Sequence, residues 1–201
     1  MEDNLFTKKQ TFFDIWANFY DLIFTTIFYQ AIHQRLLEYL IIPSPALVLD
    51  LGCGTGKLLN RLASQFPQLN GIGLDLSPKM LQKARKANKF HPRLIFIQGN
   101  ANKLPFAENQ FDAVFNTISF LHYPQPELVL TQIYRILKPN GKFYLADYTN
   151  KIIGNQVPIS PGGIKFYDEQ IRENLAHQAG LTVINHHYLL AGVILTIFRK
   201  N

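Results

Sequence analysis

The chain has 201 residues, of which 47% are hydrophobic, 17% charged and 13% aromatic. These proportions exclude a disordered or collagen-like chain and predict one domain with a substantial apolar core. A net charge of +6 is compatible with anionic partners but by itself implies only a mildly basic surface. One cysteine, Cys53, excludes an internal disulfide and a cysteine-built zinc cluster, and suits a reducing, cytoplasmic compartment.

The N-terminus runs Met1-Glu2-Asp3 and lacks the basic-then-apolar start of a signal peptide. The longest apolar stretches, residues 22–29 and 188–198, fall short of the roughly 18–20 residues that span a bilayer. The first forty residues are expected to be helical, because Phe12, Phe13, Trp16, Phe19, Tyr20, Ile23 and Ile27 recur at three- and four-residue intervals. Pro43 and Pro45 end that segment. The expected organisation is an N-terminal helical cap over residues 1–45 and a core over 46–201.

From Ala46 the pattern changes to short apolar runs alternating with helical spacing. Residues 46–49 form a compact apolar run leading to Asp50 and a glycine turn; 57–66 carry Leu58, Leu59, Leu62 and Phe66 at helical intervals. A second strand is expected at 71–74, ending at Asp75, and Ser77-Pro78 marks a helix start. Strands follow at 94–97, 113–115 and 142–146, with a helix between Pro126 and Leu137 carrying Val129 and Ile133 on its apolar stripe. This alternation predicts βαβ units and a largely parallel sheet covered on both faces. Asp168 is placed to cap a helix reaching Ala179, Gly180 to stop it, and 181–188 and 192–199 to form an antiparallel hairpin. Residues 152–164, rich in Gly and Pro, are expected to be a loop, either a surface connection or a lid.

The segment Val48-Leu49-Asp50-Leu51-Gly52-Cys53-Gly54-Thr55-Gly56 carries the chemistry. A buried strand entering a glycine turn and then a helix is a nucleotide-type binding element. Lys57 stands where a dinucleotide fingerprint needs its third glycine, and Asp50 at the mouth of the turn would repel a pyrophosphate but hold a cation. Asp75 ends the next strand, a little over twenty residues beyond the first glycine, where an acid accepts hydrogen bonds from ribose. The pattern asks for a ribose and a positive charge without phosphate, as in S-adenosyl-L-methionine.

VLDLGCGTG, GIGLDLSPKML, QGNANKLPF with FDAVF, and RILKPNGKFYLADY resemble, in order, the motifs of class I S-adenosyl-L-methionine-dependent methyltransferases, in the branch of the ubiquinone/menaquinone C-methyltransferases. The resemblance runs from about Tyr20 to the C-terminus. It implies a Rossmann-like, seven-stranded, mostly parallel sheet with an antiparallel C-terminal hairpin strand, helices on both faces and an N-terminal helical cap. It also implies S-adenosyl-L-methionine as cofactor, with S-adenosyl-L-homocysteine as product. Residue by residue, Gly52, Gly54 and Gly56 would form the loop under the cofactor and Asp50 would fix its methionine end. Asp75 would bind the ribose hydroxyls, Leu76 the adenine face, and Asn100 and Ala101 the adenine amino edge. Asn116 would lie beside the methionine moiety, and Tyr20, paired with Asp21, would close over the cofactor. Where the family usually has Asp, this chain has Asn100, which still accepts a hydrogen bond but without charge assistance.

Other conspicuous residues have plainer expected roles. Cys53 is expected to be a packing residue, Asp112 structural, and Lys79, Lys83, Arg85, Lys86 and Lys89 a solvated helix face. His186 and His187 should point to opposite faces of the hairpin, and no metal is expected.

Candidate proton acceptors follow the fourth and fifth strands: His122, Tyr123, Asp147 and Tyr148, with His122 and Tyr148 as the catalytic candidates. The acceptor is expected to be a small, fairly apolar molecule such as a quinone precursor, lipid or metabolite, with no nucleic acid involved. Peripheral membrane contact and oligomeric state stay open. The rival readings are a cofactor-binding but non-catalytic regulatory or partner protein, and a nicotinamide-dependent oxidoreductase, which Lys57 and Asp50 oppose.

Overall fold

The computed structural model describes residues 2–16, 23–149 and 163–201. Seven strands form one sheet: β1 (Ala46–Leu51), β2 (Leu69–Asp75), β3 (Leu94–Gln98), β4 (Phe111–Thr117), β5 (Leu137–Tyr148), β6 (Leu181–Leu190) and β7 (Val193–Lys200). Their spatial order is β3-β2-β1-β4-β5-β7-β6, parallel through β5 and antiparallel for the β5–β7 and β7–β6 pairs. The expected Rossmann-like sheet with an antiparallel C-terminal hairpin is therefore the observed one. Its order reverses at β1 and β4, which opens the crevice where ligands of such sheets bind.

Among the described residues the α-helices are α1 (Glu2–Trp16), α2 (Ile23–Leu37), α3 (Lys57–Gln65), α4 (Pro78–Ala87), α5 (Pro126–Ile136) and α6 (Glu169–Gln178). Consecutive strand residues feed opposite faces. Val48, Ala113, Phe115 and Tyr144 pack with α2, α3 and α4, while Leu49, Val114, Phe143 and Leu145 pack with α5 and α6. Both faces are thus filled, as near-continuous apolar strands require. Ser77 caps α4 by accepting from the Met80 amide at 3.1 Å, and Asp168 caps α6 by accepting from the Ile171 amide at 2.9 Å. The β6–β7 turn carries Ala191 and Gly192 at φ 45° and 81°, the left-handed pair that matches strand twist in a tight hairpin.

Several expectations change in detail. In the N-terminal segment the described residues 2–16 and 23–37 are helical, as expected, and Tyr20 and Asp21 lie outside the described residues. So does the expected 152–164 loop, apart from its last two residues. The strand expected at 142–146 begins directly after α5, because Phe111 pairs with Leu137 and Ala113 with Lys142; Asn140, at φ 63°, and Gly141 occupy the intervening bulge. Arg85 is not simply solvated: its guanidinium donates twice to the Phe96 carbonyl, at 3.2 and 2.9 Å. His186 and His187 do diverge, the first bonding Thr196 and Glu173 and the second stacking on Tyr39. Asp112 accepts from the Leu47 amide and Lys138, both at 2.8 Å, so it links β1 and the start of β5 to β4. No helix among the described residues is long and apolar enough to cross a membrane.

The buried Arg172 of α6 was not anticipated. It donates to the carbonyls of Tyr167, Ile194 and Asp147 at 2.8, 2.9 and 2.9 Å, and to Thr196 Oγ1 at 3.0 Å. One guanidinium thereby satisfies carbonyls at the ends of β5 and β7, next to the crevice.

Candidate functional site

Two cavities meet at the C-terminal ends of β1 and β4, sharing Gly52 and Thr117 as wall residues. The larger is a cleft with about 810 Å³ of space including its mouth, within the range of small-molecule sites. It is lined by Gly52 and Gly54 of the glycine turn, by Asp75 and Leu76 at the end of β2, by Asn100 and Ala101, and by Ile118, Ser119, His122 and Tyr123. Helix α1 roofs it with Phe6, Lys9 and Phe13. The smaller, of about 310 Å³, lies between α2 and the glycine turn, with Tyr29, His33, Asp50, Thr55 and Lys57 on its walls.

The glycine turn is built for close approach. Gly52, Gly54 and Gly56 have φ of 74°, 50° and 74°, a region that favours residues without Cβ. A Cβ on Gly52 would sit 2.2 Å from Ser119 Oγ and 2.7 Å from Ser119 Cβ. Asp75 braces the turn, accepting from the Gly54 amide at 2.8 Å and the Ser77 amide at 2.9 Å. Each of its oxygens keeps further accepting capacity toward the cleft. Burial raises its pKa, against the lowering effect of these amides.

Asp50 differs from Asp75. It is buried, its Oδ1 has no hydrogen-bond partner, and burial followed by the Asp75 charge pushes its pKa up to about 8. The deep, unpaired carboxyl wants a cation or a donor. Asn116 Nδ2 donates to the Leu51 carbonyl and Ser119 Oγ, both at 2.8 Å, and to Tyr123 Oη at 3.0 Å, while its own Oδ1 is buried without a partner. Asn100 Oδ1 accepts from the Asn102 amide at 2.9 Å, which fixes the loop that carries Ala101.

Helix α1 is tied over the cleft through α4: Asp14 accepts from Ser77 Oγ at 2.5 Å and from the Lys79 amide at 3.4 Å. Phe13 meets His122 edge-on, with ring centroids 5.0 Å apart. Ile118 has φ 49°, rare for a β-branched residue, and this strained residue turns the chain from β4 into the cleft wall.

The catalytic candidates separate clearly. His122 lines the cleft, its Nδ1 lacks a partner, and burial, with the Lys9 charge adding, lowers its pKa to about 4. Burial raises Tyr148 to about 12, and its ring stacks on Phe28 away from the larger cleft. Asp147 spends both oxygens on the Leu121 and Tyr148 amides, at 2.9 and 2.8 Å, which makes it a structural brace. Burial drives the Tyr123 hydroxyl and the Cys53 thiol upward, so neither is poised as a nucleophile. No group of His, Cys, Asp or Glu suited to hold a metal occurs among the described residues.

The structure thus gathers Asp50, Gly52, Gly54, Asp75, Leu76, Asn100 and Ala101 around the two cavities, with Asn116 beneath the turn between them. Sequence reasoning missed Phe6, Lys9, Phe13, Tyr29, His33 and Ser119, which enter from helices and a turn with no local motif.

A methyltransferase-domain family model matches residues 48–141. An uncharacterized methyltransferase of Synechocystis sp. is 34% identical over 178 residues, covering 82% of this chain and 80% of that protein. The demethylmenaquinone methyltransferase of Thermotoga maritima is 34% identical over 146 residues, 70% of this chain but only 62% of that enzyme's length. In fold, the methyltransferase solved in complex with the Haloferax volcanii Trm112 activator is similar at a TM-score of 0.82 and 24% identity, covering 94% of this chain and 97% of that one. An unpaired buried carboxyl beside a glycine cradle, with a second acid at the end of β2, fits a cationic nucleoside. The chain belongs to the class I S-adenosyl-L-methionine-dependent methyltransferases, and S-adenosyl-L-methionine is its cofactor.

Proposed function

We propose that the chain methylates a small, largely apolar acceptor that enters beside α1. The observation that carries this reading is the apolar part of the cleft lining: Phe6, Phe13, Ile118, Tyr123 and Pro124 offer rings and aliphatic surface. The likeness to a demethylmenaquinone methyltransferase supports an acceptor of this class. The single cysteine supports a reducing, cytoplasmic setting.

In this reading Asp75 accepts from the ribose hydroxyls, and Leu76, Asn100 and Ala101 border the adenine. Asp50 meets the ammonium of the amino-acid tail, Gly52 and Gly54 let the backbone lie against the cofactor, and Asn116 stands beside the methionine moiety; Gly56, outside both cavities, instead packs against Phe96 and Ala84. The bound sulfonium supplies an activated methyl group and a neutral leaving group. What remains for the protein is alignment and exclusion of water, for which the α1 roof over the cleft is suited. Where the acceptor must lose a proton, His122 is the group to receive it: its ring is neutral at pH 7 and reaches the cleft.

Methyl transfer assayed across quinol precursors, fatty acids and phenolic metabolites tests the proposal, with turnover of at least one class expected. Cofactor binding without transfer to any acceptor would favour a regulatory role instead. Transfer only to RNA or protein, or only with an added activator of the Trm112 kind, would overturn the small-acceptor reading.

A further inference from the structure

Two residues that line the smaller cavity each carry a buried polar atom without a partner, Asp50 Oδ1 and His33 Nδ1. They are complementary in kind, since a carboxylate oxygen only accepts and an imidazole nitrogen that carries the proton donates. His33 is 5% exposed and neighbours Ile32 and Leu36, both fully buried in the apolar cluster against the sheet. An apolar residue would fill that position at no polar cost. An imidazole nitrogen left unpaired there is destabilising. A buried group that breaks the local rule in this way is expected to have a ligand.

The cavity's chemistry states which ligand. The Asp50 carboxyl lines it together with His33, Lys57 and Thr55. An acid set among donors is the complement of a zwitterionic α-amino acid. Burial, with the charges of Arg61 and Lys57 adding, lowers the His33 pKa to about 3, so the ring is neutral with one donating nitrogen.

We propose that His33 binds the carboxylate of the cofactor's amino-acid tail through Nδ1, in the cavity it shares with Asp50, which takes the ammonium group. This inference rests on the cofactor placement given under the proposed function and adds a residue of α2 that no motif marks. The consequence is selectivity: a nucleoside without the carboxylate leaves His33 unpaired.

Calorimetric binding of three ligands tests it: S-adenosyl-L-homocysteine, its decarboxylated analogue, and 5′-methylthioadenosine, which lacks the whole tail. Wild-type protein is expected to prefer S-adenosyl-L-homocysteine over the decarboxylated analogue by about tenfold to a hundredfold, the scale of a hydrogen bond to a charged group. His33→Phe should lose that preference, keep its affinity for 5′-methylthioadenosine, and melt no lower than wild type when unliganded, because an unpaired polar group has been removed. His33→Gln, whose amide can still donate, should retain part of the preference. Equal wild-type affinity for S-adenosyl-L-homocysteine and its decarboxylated analogue would overturn the proposal without any variant, as would a full preference in both variants. Failure of wild type to bind any of the three ligands would instead refute the cofactor placement itself.

Discussion

The glycine turn offers the sharpest test of the site's construction, through Gly52→Ala. At φ 74° an alanine sits in the left-handed region, at a cost of about 1–2 kcal/mol. Its Cβ would also lie 2.2 Å from Ser119 Oγ and 3.1 Å from Tyr123 Oη. Ser119 cannot swing aside freely, because its hydroxyl accepts from Asn116 at 2.8 Å and donates to the Leu51 carbonyl at 3.2 Å. Overpacking of this kind costs about 1–3 kcal/mol. The two contributions together come to about 2–5 kcal/mol, or a fall in Tm of about 4–20 °C for a domain of this size. Chemical denaturation of Gly52→Ala, Ser119→Gly and the double variant forms a cycle that separates them. Removing the Ser119 side chain should rescue only the steric part, so the double variant should be more stable than additivity predicts by about 1–3 kcal/mol. Strict additivity of the two substitutions, or a Gly52→Ala penalty below about 0.5 kcal/mol, would refute the close-approach argument.

Other consequences are equally direct. Asp75→Ala should weaken S-adenosyl-L-homocysteine binding by about 1–3 kcal/mol, roughly five- to 150-fold by calorimetry, and unchanged affinity would remove Asp75 from the ribose site. Burial raises the Asp50 pKa from 3.8 to about 8, so this carboxyl takes up a proton on folding; its contribution to stability is fully present below pH 3.8 and is lost as pH rises through 8. Denaturation at pH 6 and pH 9 should therefore show wild type losing more stability than Asp50→Asn. Binding of the cationic tail favours the ionised acid, so calorimetry at pH 7 in buffers of different ionisation enthalpy should detect proton release, absent in Asp50→Asn. Arg172→Met should destabilise the fold by about 3–5 kcal/mol, since it leaves carbonyls at the ends of β5 and β7 without their donor and the buried Asp147 carboxyl without its nearby cation; a melting temperature equal to wild type would contradict its bracing role. If His122 accepts the acceptor's proton, the rate should rise through about pH 4 and then stay flat to neutrality, and His122→Ala should abolish that rise.

Much of this architecture is local information. A buried strand reads as an apolar run, a cap as Ser77 or Asp168 before a helical stripe, and a ligand turn as glycines at positive φ. The two acids at the ends of β1 and β2 were legible for the same reason: each ends a strand, and the crevice lies at the strand ends in any sheet of this order.

The amino-acid sequence by itself determined the alternating elements, the glycine turn, and the roles open to Asp50 and Asp75, because each depends on residues a few positions apart. Only the tertiary structure decided what surrounds them. Phe13 reaches His122 across 109 positions of the chain, and His33 of α2 lines the same cavity as Asp50, neighbours that no periodicity encodes. It also decided protonation: Asp50 and Asp147 are the same side chain, but burial raises the first, with its unpaired oxygen, to about 8 and the second only to about 6, because backbone amides and Arg172 oppose the rise. Desolvation is a property of the assembled surroundings, so it appears only when the chain has folded.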